Sequence, residues 1–305
     1  MEFFKKQTKI DFMGQRNWTA ILSLLMFLAS TVSLMKYGLT WGLDFTGGTQ
    51  VQLHYHGPAD LVQIRQQLAD ANWDKAIVQS YGSSEEVLVS LPPTGDLTQQ
   101  QMSAKLLSVL PGAELRRIES VGPEVGQELA TKGALAILVA LLGIMIYIAV
   151  RFEYRLAVSA ALALVHDPIL ILGIFSFYHI EFNLTALAAV LAVLGYSLND
   201  TIVIFDRVRE NFRKIRKATP VEIMNLSINQ TLSRTIMTSV ITLMVVVALF
   251  VYGGEMIHTF SLALIIGIVV GTYSSIYVAG ALAIAMGLSK TDLMPVVKKE
   301  IDDRP

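Results

Sequence analysis

Six long apolar blocks dominate the pattern of hydrophobic and polar positions along the chain. At about 1.5 Å of rise per residue, a helix of some 20 residues crosses the roughly 30 Å hydrocarbon core of a bilayer. The blocks predict membrane spans at 18–37, 133–150, 156–178, 184–205, 235–252 and 260–287. One transmembrane helix is thus expected first, then a mixed-polarity segment at 38–131, then a five-helix bundle at 132–287.

The segment between the first two spans has the alternation and spacing of a folded α+β domain. Strand patterns occur at 49–55, 76–81, 86–91 and 114–121, and helix patterns at 58–71 and 98–110. The order β-α-β-β-α-β is that of a ferredoxin-like unit. The predicted fold class is therefore an α-helical polytopic membrane protein of six transmembrane helices, with one ferredoxin-like α+β domain between the first and second helices.

Composition agrees with this prediction and excludes several classes of protein. Of the 305 residues, 53% are hydrophobic and only 16% are charged, with a mean hydropathy of +0.53. A soluble domain carries about 25% charged residues. The net charge of −1 provides no basic field for nucleic acid. The chain has no cysteine, which excludes disulfides and thiolate metal sites.

Lysine and arginine are concentrated in alternate connections, which predicts the orientation. The basic positions are Lys5, Lys6, Lys9 and Arg16, then Arg151 and Arg155, then those within 207–217, then Lys290, Lys298, Lys299 and Arg304. The opposite connections, 179–183 and 253–258, contain neither residue type. Residues 1–17 and 288–305 are therefore expected in the cytoplasm, and 38–131 outside.

An ionisable residue inside an apolar block is costly there and is a functional candidate. Asp200 lies inside the fourth span, with Tyr196 and Ser197 on its own helical face. Arg234 begins the fifth span, on a polar stripe that includes Thr238. Our hypothesis is that Arg234 holds ionised Asp200, that Tyr196, Ser197 and Thr238 donate nearby hydrogen bonds, and that protonation releases the pair. The alternatives are a snorkelling Arg234 and a purely structural Asp200.

His166 and Asp167 lie in the middle of the third span, directly before Pro168. Their position is compatible with a proton relay or with a structural role, and the residues alone do not decide between them. Two weaker patterns accompany them. Gly267 and Gly271 form a small-xxx-small motif for helix packing, and the basic, amphipathic segment 207–217 predicts a helix on the anionic membrane surface or at a partner.

Motifs of soluble active sites were not found. The chain lacks a His-Glu-x-x-His pair, a phosphate-binding Gly-x-x-x-x-Gly-Lys-Ser/Thr loop and a Gly-x-Ser-x-Gly elbow. His54 and His56 share one strand face without a further ligand nearby, so no metal site is predicted. The chain is expected not to be an enzyme and to need no cofactor.

Three segments resemble motifs of the SecF branch of the SecD/SecF family of protein-export membrane proteins, within the resistance-nodulation-division superfamily. They are 41–49 (WGLDFTGGT), 119–126 (ESVGPEVG) and 195–211 (GYSLNDTIVIFDRVREN). The first contains Asp44, Gly47 and Gly48, and we read it as a turn in which the glycines adopt positive φ and Asp44 caps or orients the chain. The second contains Gly122 and Pro123.

The resemblance implies a subunit of the bacterial inner membrane that uses the proton-motive force to promote late translocation of polypeptides. Its implied partners are SecD, YajC, the SecYEG channel with SecA, the translocating polypeptide and membrane lipids. The resemblance also implies that the outer domain is periplasmic and that the functional intramembrane charges are Asp200 and Arg234. A proton-coupled exporter half for a small molecule or lipid, and a passive translocon scaffold, remain alternatives.

Overall fold

The computed structural model describes residues 8–93, 99–215 and 217–289. The helices are α1 (Arg16–Tyr37), α2 (Leu43–Thr46), α3 (Leu61–Asp70), α4 (Gln99–Val109), α5 (Pro123–Arg151), α6 (Tyr154–Phe177), α7 (Leu184–Lys214), α8 (Pro220–Tyr252), α9 (Glu255–Tyr273) and α10 (Ala279–Ala285). The strands are β1 (Thr40–Trp41), β2 (Gly48–Tyr55), β3 (Ile77–Tyr81), β4 (Ser83–Leu91), β5 (Ala113–Val121) and β6 (Glu181–Phe182).

The described residues include six helices that are long and apolar enough to cross a membrane. They are α1, α5, α6, α7, α8 and a last span in which α9 and α10 join through a π-helical segment, Ser274–Val278. The number and order of the predicted spans are confirmed. The predicted basic positions Lys5, Lys6, Arg216, Lys290, Lys298, Lys299 and Arg304 lie outside the described residues, as do 1–7 of the predicted N-terminal segment and 290–305 of the predicted tail.

Three spans, α5, α7 and α8, extend well beyond the apolar blocks that predicted them. Helix α5 begins at Pro123, ten residues before position 133, because Pro123 occupies the first helical turn where its missing N–H costs nothing. Helix α8 begins at Pro220 with a complete capping box between Thr219 and Glu222. Apolar patterning marks the part of a helix inside the bilayer, so it does not report these polar extensions.

The separate surface helix predicted at 207–217 is wrong. Helix α7 continues without a break to Lys214, and Val208 and Phe212 are buried in the core of the bundle, at 0% and 2% exposure. These apolar residues contact neighbouring helices rather than lipid. The 3.6-residue period of an amphipathic helix shows that one face is apolar, but it does not show what covers that face.

The domain between the first two spans forms one antiparallel sheet with the strand order β3-β4-β2-β5. Strands and helices follow in the predicted order β-α-β-β-α-β from β2 to β5. Helices α3 and α4 cover one face of this sheet, and their Ile64, Leu68, Met102 and Leu106 pack on Val51, Leu53, Val87 and Val89. The other face carries polar residues and looks toward the bundle.

Candidate functional site in the membrane core

Asp200 is buried in the bundle with 2% exposure, and its Oδ2 has no hydrogen-bond partner among the described residues. Helix α7 carries it, one turn beyond Ser197. An unpaired buried polar atom costs roughly 1–3 kcal/mol, and a charged one costs more. A carboxyl kept in this state, inside a helix that can span a membrane, has the features of a functional group.

Arg234 lies on α8, which packs against α7, but its side chain is exposed at the surface of the bundle. Its charge is close enough to act on Asp200, yet no ion pair joins the two side chains in the described part of the chain. The polar stripe of α8 is largely self-satisfied, because Thr238 Oγ1 donates to the backbone oxygen of Arg234 at 3.0 Å and Thr242 Oγ1 to that of Thr238 at 2.8 Å.

The side chains expected to support Asp200 bind other groups. The Tyr196 hydroxyl donates to Ser239 Oγ on α8 at 3.1 Å, and Ser239 is joined to Thr272 on α9 at 2.8 Å. Ser197 Oγ donates to Asp167 Oδ2 at 2.5 Å. Tyr196 and Ser197 therefore bond α7 to α8 and α6, and they are not the hydrogen-bond partners that Asp200 was expected to have. Helical spacing placed them on one face correctly but could not show which of several nearby acceptors each would take.

His166 and Asp167 form a buried polar cluster of the membrane core in which both oxygens of Asp167 have partners. Asp167 has 0% exposure; its Oδ2 accepts from Ser197 Oγ and, at 2.7 Å, from Ser274 Oγ, while its Oδ1 lies 2.9 Å from His166 Nδ1. The cluster joins α6, α7 and the π-helical segment. Ser274 was missed as a member, although its place in the polar run 272–275 was the available signal.

The glycine turn joins the first span, the outer sheet and two further spans. Gly47 and Gly48 have φ values of 65° and 123°, as expected from their sequence. A Cβ added at Gly48 would lie 2.3 Å from the Leu91 backbone oxygen, and one added at Gly126 would lie 2.8 Å from the Gly47 nitrogen. The first turn of α5, which follows Gly122 and begins at Pro123, is therefore packed directly on this turn.

Asp44 does not cap its own turn. It lies within the short helix α2, and its Oδ2 accepts a hydrogen bond at 2.8 Å from the Leu184 N–H, the first residue of α7. A carboxylate at a helix N-terminus is favoured by the helix dipole and by the free N–H groups there. The segment after the first span thereby holds the start of the helix that carries Asp200.

A polar cleft of about 320 Å³ lies where the free face of the sheet meets the bundle. Glu181 of β6 lies at its edge, and its Oε2 accepts from Gln50 Nε2 at 3.4 Å. Burial raises the pKa of this carboxyl, and the charge of Asp44 adds to the effect, while hydrogen bonds from Leu43 N–H and Gln50 oppose it. Glu181 was not singled out from the sequence, because its connection was noted only for lacking Lys and Arg.

Family models match most of this architecture. The family model described as "Protein export membrane protein SecD/SecF, C-terminal" matches residues 101–289. The family model described as "SecD/SecF GG Motif" matches residues 32–59. The first match covers the five-helix bundle with Asp167, Asp200 and Arg234, and the second covers the glycine turn. The chain belongs to the SecD/SecF family.

Similar proteins share nearly the whole length of this family member. Protein translocase subunit SecF of Vibrio alginolyticus is 50% identical over 98% of this chain and 97% of the relative. SecF of Pseudomonas aeruginosa is 48% identical over 97% of this chain and 98% of the relative.

Two solved structures share the fold. The crystal structure of SecDF, a translocon-associated membrane protein from Thermus thermophilus, has 36% identity and a TM-score of 0.85. A structure of SecDF in a super-membrane-facing form gives a TM-score of 0.69 at 36% identity. In both, the match covers 93% of this chain but only 39% of the SecDF chain.

No group of three or more His, Asp or Glu side chains with metal-site geometry occurs in the described ranges. His56 Nε2 instead lies 3.1 Å from Glu114 Oε1 at the surface of the sheet, and the His54 ring lies beside the His56 ring. The chemistry available in the core is that of carboxyl, imidazole and hydroxyl groups, which bind and pass protons.

Proposed function

We propose that this chain is the SecF-type subunit of the Sec protein-translocation machinery, in which reversible protonation of Asp200 couples the proton-motive force to late steps of polypeptide export. The transport role is supported by family membership and by relatives named protein translocase subunit SecF over nearly their full length. The observation that carries the coupling role is the buried, unpartnered Oδ2 of Asp200 in a membrane-spanning helix.

The energetics of coupling are sufficient for a conformational switch. One proton that moves through a potential of 100 mV releases about 2.3 kcal/mol, which corresponds to a shift of roughly fifty-fold in a two-state equilibrium. Asp44 and the glycine turn connect the start of α7 to the outer sheet. The helix that carries Asp200 is therefore hydrogen-bonded at its start to the segment that leads into the outer domain.

The proposed topology places both termini in the cytoplasm of a bacterial inner membrane, with the sheet domain in the periplasm. The basic connections at Arg151 and Arg155 and along 207–217 support this orientation. We assign the ferredoxin-like class to the periplasmic domain because its β-α-β-β-α-β order and central β2 and β4 strands fit that unit.

The proposed principal partner is SecD, as the second half of a pseudo-symmetric pair. Arg234 is a charged residue exposed on a membrane helix, and a facing surface of SecD would compensate its charge. The SecDF structures, of which this chain matches 39%, support the same pairing. SecYEG with SecA, YajC and the translocating polypeptide complete the proposed assembly, with the proton gradient as the energy source and no cofactor.

The decisive test is proton-gradient-stimulated export in inverted vesicles that carry the chain with SecD. Asp200→Asn removes the titratable group with little change of volume, and we expect the stimulation by the gradient to be abolished while association with SecD persists. Asp200→Glu, which keeps a carboxyl, should retain part of the stimulation.

Asp206→Asn is the matched control. Asp206 lies two turns further along α7, half-exposed and paired with Arg151 at 2.7 Å, and such surface pairs contribute about 0–1 kcal/mol. Export by vesicles that carry Asp206→Asn should respond to the gradient as export by wild-type vesicles does. If Asp200→Asn keeps the wild-type response, the coupling role of Asp200 is wrong and its carboxyl is structural.

A further inference from the structure

The hydrogen bonds around Asp167 determine where the neighbouring histidine can accept a proton. Asp167 Oδ1 lies 2.9 Å from His166 Nδ1 and can only accept there when ionised, so Nδ1 carries the hydrogen of the neutral ring. The other nitrogen, Nε2, then has a free lone pair. Nε2 is buried and has no hydrogen-bond partner among the described residues. His166 as a whole is 7% exposed, and its ring stacks on that of Phe27 with 6.2 Å between the ring centroids.

We infer that His166, with Asp167 as its fixed counter-ion, is a second proton-binding site of the membrane core, separate from Asp200. The inference rests on the proposed function for its purpose but not for its chemistry. A proton adds to the Nε2 lone pair without breaking any bond, and the product is an imidazolium beside a carboxylate. The pair then passes between a net charge of −1 and zero.

Both states are tolerable at this depth, for different reasons. Without the proton, the Asp167 carboxylate is stabilised by three donors, from Ser197, Ser274 and His166. With the proton, the buried charges compensate each other at hydrogen-bond distance. Neither state requires another cation from the described residues.

The cluster contacts both α7 and the last span, so its charge state acts on both helices. Ser197 lies one helical turn before Asp200 on α7, and Ser274 begins the π-helical segment that interrupts the last span. Single π-helical turns within α-helices are found frequently at functional sites. A stronger or weaker pull of Asp167 on these two hydroxyls alters the register of both helices relative to α6.

Other ionisable groups on the packed elements lie apart from the pair. The groups directly facing it are Phe27 of α1, Ser197 of α7 and Ser274 of the last span. The charged and titratable residues of those elements and of α5 are Arg16, Lys36 and Tyr37; Glu124, Glu128, Lys132, Tyr147 and Arg151; Tyr196, Asp200 and the cytoplasmic end of α7 from Asp206; and Glu255, His258, Tyr273 and Tyr277. Along α7, the titratable residues nearest to Ser197 in the sequence are Tyr196 and Asp200, one and three positions away.

The site is tested directly by nitrogen NMR of the full chain in lipid, with ¹⁵N-labelled histidine. The chain has five histidines, and His166→Gln identifies the signal of His166 by its loss. We expect acidification to convert this signal from the neutral to the doubly protonated form, because Nε2 holds the free lone pair that accepts the proton. Asp167→Asn should abolish that change. A wild-type His166 that keeps one protonation state throughout overturns the inference.

Export provides the second readout. With SecD in vesicles, His166→Gln should change the dependence of gradient-stimulated export on pH, because one of the two proposed proton-binding groups is removed. His258→Gln is the matched control, because His258 also lies in a membrane-spanning helix against an aromatic ring, that of Phe250 at 4.1 Å; its pH profile should equal that of the wild type. An unchanged profile in His166→Gln overturns the site even if Asp200→Asn abolishes the stimulation, so the two hypotheses fail separately.

Discussion

Two buried carboxylates on adjacent helices of the core have opposite surroundings. Asp167 accepts hydrogen bonds from two hydroxyls and lies against an imidazole, whereas Asp200, only one helical turn from one of those hydroxyls, leaves its Oδ2 unpaired. Ionised Asp167 is held by three donors, whereas Asp200 can gain or lose a proton at Oδ2 without breaking a hydrogen bond to the described residues. These contacts fit the two proposals, with Asp167 as the counter-ion of His166 and Asp200 as the titrating carboxyl.

Glu181 makes the junction of outer domain and bundle sensitive to pH. Its pKa is raised in the folded chain by burial, with the charge of Asp44 as a further cause. Below the value of an unfolded glutamate, about 4.3, the carboxyl is neutral in both states and carries no penalty. As the pH rises through the unfolded and then the folded value, the unfolded chain loses its proton first, so stability falls.

Glu181→Gln removes that pH-dependent loss while a side-chain oxygen remains for Gln50. We expect amide hydrogen exchange in β2 and at Leu43 to be slower in the variant than in the wild type at neutral pH, and the difference to vanish near pH 4. The pH axis reports the titration itself, because a purely steric effect of the substitution would be the same at both pH values. A difference that does not vary with pH would contradict this account of Glu181.

At the level of elements, the glycine turn determines how the sheet is attached to the spans. The turn leads into β2 and packs against the first turn of α5. It directly follows α2, whose Asp44 side chain caps α7. Two consecutive positive φ values and the close approach of two backbones leave no room for a side chain. Helix α5 is thereby linked to the sheet through close backbone contacts, and α7 through the Asp44 carboxylate.

Gly48→Ala should therefore destabilise the outer domain. Its φ of 123° disfavours any residue with a Cβ, and the added atom would lie 2.3 Å from the Leu91 oxygen. A left-handed conformation alone costs about 1–2 kcal/mol, so we expect a clear fall in thermal stability. The matched control is Gly57→Ala in the same domain, where nothing lies within 4 Å of the added carbon; equal melting temperatures for the two variants would refute the explanation.

At the scale of the whole molecule, burial is uneven among the six spans. The most apolar windows of α6 and α7 are each 56% buried, whereas those of α1, α5 and α8 are 11%, 11% and 17% buried. The first two form the centre of the bundle, and the others present wide apolar faces to lipid or to a partner. This distribution, together with exposed Arg234, fits the proposed pairing with SecD.

The topology can be tested with single introduced thiols, because the chain has no cysteine of its own. Ser84 and Lys217 are both exposed and lie on opposite sides of the proposed membrane. In intact cells, Ser84→Cys should react with a membrane-impermeant maleimide once it has passed the outer membrane, and Lys217→Cys should react only after lysis. The reverse order of labelling would overturn the proposed orientation and the placement of the sheet domain.

The sequence alone determined the number and order of the spans and the β-α-β-β-α-β order of the outer domain, because each depends on periodic burial within one local segment. It also identified Gly47 and Gly48 as positions of positive φ. The partners of the polar residues were decided only by tertiary packing. Ser197 bonds to Asp167, Asp44 caps α7, and Val208 and Phe212 are covered by protein. Each of these contacts joins residues far apart in the chain, and a periodic pattern gives the direction of a side chain but not the group that meets it.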